Sequence, residues 1–180
     1  NTHIIKTGSR VDTGAKTNYV KLLNVMVNYS ERTGVCVDDA YDVIIDGCYS
    51  SFNNCGISFG GTDSQISNCY ASFNKEDGFR LYGGLNQMTN CKSYFNDGVG
   101  YFGNAYDYSL VNCDAQENGK EGFFLFDGNS IAMTNCHSEA NGVKEKVAAF
   151  RFSGIQYLQL LGCKAMNSDV FKGKQVVGYA

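Results

Sequence analysis

Three carboxylates each stand one residue before a glycine in three look-alike stretches. They are Asp77 in "DGFRLYG", Asp97 in "DGVGYFG" and Glu121 in "EGFFLFDG". Paired carboxyl groups carry out glycoside hydrolysis, about 5–5.5 Å apart in retaining enzymes and about 6.5–9.5 Å apart in inverting ones. If the stretches pile up at strand spacing, Asp77 and Asp97 fall about 5 Å apart, and Asp77 and Glu121 about 10 Å. Like charges that close push one pKa up, as a general acid requires. Asp before Gly is also a common turn former, so a catalytic column and a solvated turn are both open on these residues.

After each glycine the residues alternate as a strand does. One set points in (Phe79, Val99 and Phe123; then Leu81, Tyr101 and Leu125). The other points out: Arg80, Gly100, Phe124 and Arg151, then Tyr82, Phe102, Phe126 and Ser153. An exterior stripe of Tyr82, Phe102, Phe124 and Phe126, flanked by Arg80 and Arg151, needs a reason. Rings that stack on sugars, rings buried by a second subunit, and rings covered by an end segment are three competing accounts. Arg80, beside Asp77, would hold an acidic substrate group. Asp38 and Asp39, with Asp42, fit a second acidic pair, a calcium site or a plain turn. Cys36 is expected outward, as an exposed reactive thiol. His137 reads as a surface histidine beside Asp114 and Lys164, and His3 lies at an irregular end. An insertion carrying Lys144, Glu145 and Lys146 is expected to overhang the stripe beside Phe124, Phe126 and Arg151.

These residues are positioned by a repeat. Cys48, Cys69, Cys91, Cys113, Cys136 and Cys163 recur at intervals of 21, 22, 22, 23 and 27. Three residues before each is an aliphatic side chain (Ile45, Ile66, Met88, Leu110, Met133, Leu160), and one before is Gly or Asn. Two after is Ser or Ala, and five after, in five repeats, is Asn (Asn53, Asn74, Asn96, Asn118, Asn141). A looser earlier repeat places Leu23, Met26 and Gly34 correspondingly. Each unit holds three strand-length stretches and no helix-length one. The Gly or Asn before the Cys suits a one-residue bend with φ > 0. Three short strands and three bends in about 22 residues make one rung of a parallel β-helix. The expectation is all-β, about seven rungs, with like residues above like. Cysteines would form an internal reduced ladder, and asparagines would form amide stacks.

The 180 residues fit one domain, 1–180, with regular rungs over about 20–167 and irregular ends. A net charge of −3 without a basic patch argues against nucleic acid. No apolar run reaches a membrane span. The eight cysteines contain no C-x-x-C. No cofactor or metal is expected. A start at Asn1 suggests a fragment of a longer chain.

"NCYASFNKEDGFRLYG" and its echoes resemble the right-handed parallel β-helices of the pectate-lyase-like superfamily, with Asn68, Asn90, Asn112 and Asn135 similar to that family's asparagine ladder. The superfamily holds pectate lyases, polygalacturonases, alginate epimerases and bacteriophage tailspike and pre-neck appendage proteins. Neither Gly-His-Gly nor Asn-Thr-Asp of the polygalacturonases occurs, and no calcium-dependent lyase motif is legible. The resemblance is strongest to a phage tailspike or appendage domain. It implies binding and cleavage of a bacterial surface polysaccharide, a homotrimer, and a place on the virion or outside the cell. In that reading Asp77 with Glu121 or Asp97 are acid and base, Arg80 positions, and the rings stack on sugars. A non-catalytic rod with an aromatic interface, and a bacterial polysaccharide lyase or epimerase fragment, are the alternatives.

Overall fold

The structure is a computed structural model that describes residues 4–7, 11–12, 18–144, 146–167 and 176–179. Every described pairing is parallel, and each joins a strand to its counterpart about one repeat away. The winding is a parallel β-helix. Its regular repeat between Cys48 and Cys163 makes about five turns, fewer than the seven or so rungs expected because the flanking coils are less regular.

Three strand columns form the faces. The first begins just after each cysteine, as in Tyr49–Ser51, Tyr70–Ser72, Lys92–Tyr94 and Asp114–Gln116. The second carries Phe79–Leu81, Tyr101–Gly103, Phe123–Phe126 and Ala148–Ser153. The third ends at the aliphatic position, as in Gln65–Ser67, Gly84–Thr89 and Tyr106–Val111. The second and third merge where the long strand Cys55–Thr62 pairs with both.

The bends follow from residue type. Gly47, Asn68, Asn90, Asn112, Asn135 and Gly162 all take positive φ, between 52° and 64°, which Gly and Asn tolerate best. In the loose first coil Asn24 does the same. There Leu22, and not Leu23, stands in register with Ile45.

Inside, Phe79, Tyr101, Phe123 and Phe150 stack with centroids 4.9, 4.5 and 4.9 Å apart, all fully buried. Offset stacking adds roughly 0.5–1.5 kcal/mol per pair beyond the area buried. Tyr101 satisfies its hydroxyl by donating to the Cys91 carbonyl at 2.7 Å. All eight cysteines are free. The six of the series donate to backbone carbonyls, Cys69 to Ser67 at 3.1 Å for example.

The second asparagine series is the polar spine. Asn74, Asn96 and Asn118 each donate Nδ2 to the Oδ1 of the next, at 2.8, 2.9 and 2.8 Å, ending on Asn141. The same oxygens accept the backbone N–H of the coil below. The outer series, Asn68, Asn90 and Asn112, makes longer exposed bonds of 3.4 and 3.2 Å.

Candidate functional site

A groove of about 470 Å³ opens along the second strand column. Its lining includes Asp77, Arg80, Asp97, Phe102, Glu121, Phe124 and Arg151, seven of the nine residues singled out in the sequence. Tyr82 and Phe126 lie outside it. Tyr82 is at the edge, 37% exposed, with its phenol pKa raised by burial. Phe126 supports the wall, packed 5.3 Å from Phe102 and 5.5 Å from Phe124.

The register corrects the three-carboxylate column. Phe79 pairs with Tyr101 and Arg80 with Phe102, so Gly100, not Gly98, is level with Gly78 and Gly122. The residue between Asp77 and Glu121 is therefore Val99. Asp97 follows Asn96 in the preceding bend, level with Lys75 and Gly119. A slip of two keeps the alternation from Tyr101 onward, but Val99, expected inward, lines the groove level with Asp77 and Glu121, and Gly100, expected outward, faces the buried Ala115 and Asn118. Asp77 and Glu121 keep their two-rung relation, about 10 Å along the axis.

Each carboxylate has its own cation. Asp77 is buried; its Oδ2 takes Arg80 Nε at 2.8 Å and its Oδ1 takes the Val99 backbone N–H at 2.9 Å. Gly98 makes room for this. A Cβ there would sit 2.5 Å from Asp77 Oδ1 and 2.8 Å from the Glu76 carbonyl carbon. Arg80 also reaches Glu76 at 2.5 Å. Burial works against the Arg80 charge, but the surrounding anionic groups hold its pKa above the ordinary value. Glu121, also buried, accepts from Arg151 Nη1 at 3.1 Å, and the same guanidinium lies 4.4 Å from the Phe124 centroid. Asp97, exposed on the rim, pairs with Lys144 at 2.8 Å.

The arrangement separates two roles. With both oxygens engaged, Asp77 is an acceptor locked between Arg80 and the Val99 N–H. Glu121 has one donor among the described side chains and faces the groove between two aromatic walls, the better position for moving a proton. The rings Phe102 and Phe124 meet at 67°, and Phe102 and Phe126 at 50°, so they do not cover one another's faces. Two lysines were missed, Lys75 and Lys120. Both line the groove, and neither has an acidic partner among the described residues. Their signal was available: each follows the stacked asparagine within two residues, in the turn that enters the second strand.

Other expectations fare unevenly. Cys36 is not an exposed thiol. It is buried and donates to Asp38 Oδ2 at 3.1 Å. His137 stands beside Asp114, with Nδ1 3.3 Å from the carboxylate. Lys144 of the insertion reaches Asp97 on the rim of the groove that Phe124 and Arg151 also line, while Glu145 and His3 lie outside the described residues. Among the described residues no three His, Cys, Asp or Glu side chains converge as a metal site, Asp38, Asp39 and Asp42 included. Among the described residues no helix is long and apolar enough to cross a membrane.

Comparison with solved structures gives relatives in fold. An enzymatically active domain of bacteriophage CBA120 tailspike protein 2 superposes with TM-score 0.75 at 15% identity, over 81% of this chain and 24% of that one. The periplasmic alginate epimerase AlgG gives TM-score 0.78 at 15% identity, over 90% and 43%. The A-module of Azotobacter vinelandii mannuronan C-5 epimerase AlgE4 gives 0.67 at 18%, over 83% and 52%. The chain thus spans between a quarter and about half of these proteins. Comparison with curated protein sequences gives no match. The family model for the right-handed β-helix region matches residues 12–177, so the chain belongs to the right-handed β-helix family.

Proposed function

We propose that this chain is a carbohydrate-active β-helix of a phage tailspike-like protein, gripping and cleaving a bacterial surface polysaccharide in the groove along the second strand column. One observation carries the reading: two buried carboxylates, Asp77 and Glu121, lie two rungs apart beside tilted aromatic rings in a groove wide enough for a sugar. That spacing is far beyond the about 5–5.5 Å of retaining pairs and just past the about 9.5 Å upper end for inverting ones, where a water enters between acid and base. Glu121 protonates the leaving glycosidic oxygen, Asp77 takes the proton of the attacking water, Arg80 positions Asp77, and Phe102 and Phe124 stack on the apolar faces of the sugars. Asp97 acts at the rim. Arg151 holds Glu121, and Tyr82 and Phe126 brace the wall. The likeness to tailspike and epimerase folds supports a polymeric glycan and an extracellular or virion setting, with copies of the chain assembled side by side as a trimer.

A second reading has an observation of its own. Every groove carboxylate is already paired with a cation, Glu76 and Asp77 sharing Arg80, which suits a module that binds without cleaving. A lyase or epimerase fragment is the third. Binding to an array of bacterial capsular and O-antigen polysaccharides, with alginate and polygalacturonate included, tests the groove. Phe124→Ala is expected to weaken the best ligand at least tenfold, about 1.4 kcal/mol. Unchanged binding rejects the site. A lyase would leave ultraviolet-absorbing unsaturated ends, which hydrolysis does not.

A further inference from the structure

A second aromatic surface lies away from the groove, on the first strand column and the bend that follows it. Tyr29, Phe52, Phe73 and Phe95 stand directly above one another, 60%, 45%, 44% and 40% exposed. Their backbone is left-handed, with φ of 61°, 58°, 54° and 55°. Bulky residues adopt that conformation at a cost of roughly 1 kcal/mol or more each. Beside them Tyr49 and Tyr70 stack at 4.7 Å.

We propose that this face is where a second copy of the chain docks. Two observations select that occupant over a sugar or solvent. First, the rings stack flat on one another, with centroids 5.2, 5.1 and 5.0 Å apart and planes within 11°, 7° and 19°. Both faces of Phe52 and Phe73, and one face each of Tyr29 and Phe95, are used along the row, which leaves little ring face for a sugar, in contrast to the tilted rings of the groove. Second, the six rings expose on the order of 600 Å² without a charged group among them, at the top of the range for a monomer's largest apolar patch and close to the roughly 800 Å² each partner contributes to a stable interface. The face becomes charged beyond it, where Lys92, Asp114 and His137 continue the Tyr49–Tyr70 line. The apolar part is covered most cheaply by its own counterpart, since contact with the charged part would strip water from ions. Aromatic residues are what such interface cores favour. Self-association through this face leaves the groove open on each copy, and it stands whether or not the groove cleaves a glycan.

Light scattering and sedimentation of the intact protein test it. The unsubstituted protein is expected at a multiple of the chain mass, and Phe52→Asn/Phe73→Asn as a monomer. Asparagine tolerates the left-handed backbone, and circular dichroism checks that the double variant keeps the β signature. If it does not, Phe95→Lys, at the edge of the row, is measured in its place and is expected to weaken association at least tenfold. A monomeric unsubstituted protein overturns the proposal. So does a folded variant that stays assembled, or assembly lost only on Phe124→Ala in the groove.

Discussion

Replacing Asn96 by Ala probes the coil that carries the groove floor. Asn96 is 2% exposed. Its Oδ1 accepts both the backbone N–H and the Nδ2 of Asn74, at 3.0 and 2.8 Å. Its own Nδ2 donates to the Ala71 carbonyl, Ser93 Oγ and Asn118 Oδ1. Truncation leaves the Asn74 backbone N–H with no other acceptor and one amide proton of Asn74 without its short bond; the Ser50 carbonyl, at 3.2 Å, still holds that amide. An orphaned buried donor costs roughly 1–3 kcal/mol. Two of them, with a small cavity, predict a loss of about 3–5 kcal/mol, a large share of the ~5–15 kcal/mol that a domain has. Guanidinium unfolding followed by circular dichroism measures it as a shift in midpoint at constant slope. The control is Asn90→Gly on the outer series, where two exposed bonds of 3.4 and 3.2 Å are lost and Gly accepts the φ of 54°. It should cost less than about 1 kcal/mol. If Asn96→Ala is as mild as the control, the inner spine does not carry the fold. Asn96 also precedes Asp97, Gly98 and Val99, so glycan binding should fall in parallel with stability.

Gly98→Ala is expected to push the Asp77 carboxylate off the Val99 N–H, lowering glycan affinity while the β signature persists; an unchanged affinity separates Asp77 from binding. Asp46 accepts hydrogen bonds from Ser67 at 2.7 Å and Asn68 at 2.8 Å, which hold its pKa below the ordinary 3.8. Its contribution is present above that value and lost as pH falls through the lower folded-state pKa. Asp46→Asn should therefore destabilise at pH 7, with the difference narrowing as acid carries the pH below 3.8; a gap that does not narrow on acidification contradicts this. Burial pushes the Cys55 thiol up to about 12 and raises Cys91 well above its usual value. A thiol reagent at pH 8 should find neither until the protein is unfolded, when all eight cysteines react. Fast labelling of Cys55 in the folded protein would refute its burial.

The coil itself was legible because one-residue bends demand Gly or Asn and leave a period that the cysteines mark. Inward and outward faces of the strands followed from alternation, but it fails just before them, at Val99 and Gly100. The slip arose in "NDGVGYFG", which offers two glycines, Gly98 and Gly100. Nine residues separate Cys69 from Gly78 and Cys113 from Gly122, and the same count from Cys91 selects Gly100. Spacing from the cysteine was the better ruler, because the turn between them has fixed length in these coils. Tyr29, Phe52, Phe73 and Phe95 were not recognised as bend residues, since large side chains rarely take positive φ. Here flat stacking between coils offsets that strain. Glu121's partner could not be read locally either: Arg151 arrives from thirty residues away. Cys36 was misjudged because Asp38 covers it by folding back over its own strand.

The most direct measurement is release of reducing ends from the best-bound polysaccharide, by the unsubstituted protein and by Glu121→Gln. The groove reading predicts steady release with inverted anomeric configuration, at least a hundredfold slower in Glu121→Gln while binding remains. Tight binding with no release by the unsubstituted protein, or equal release by both, would contradict it.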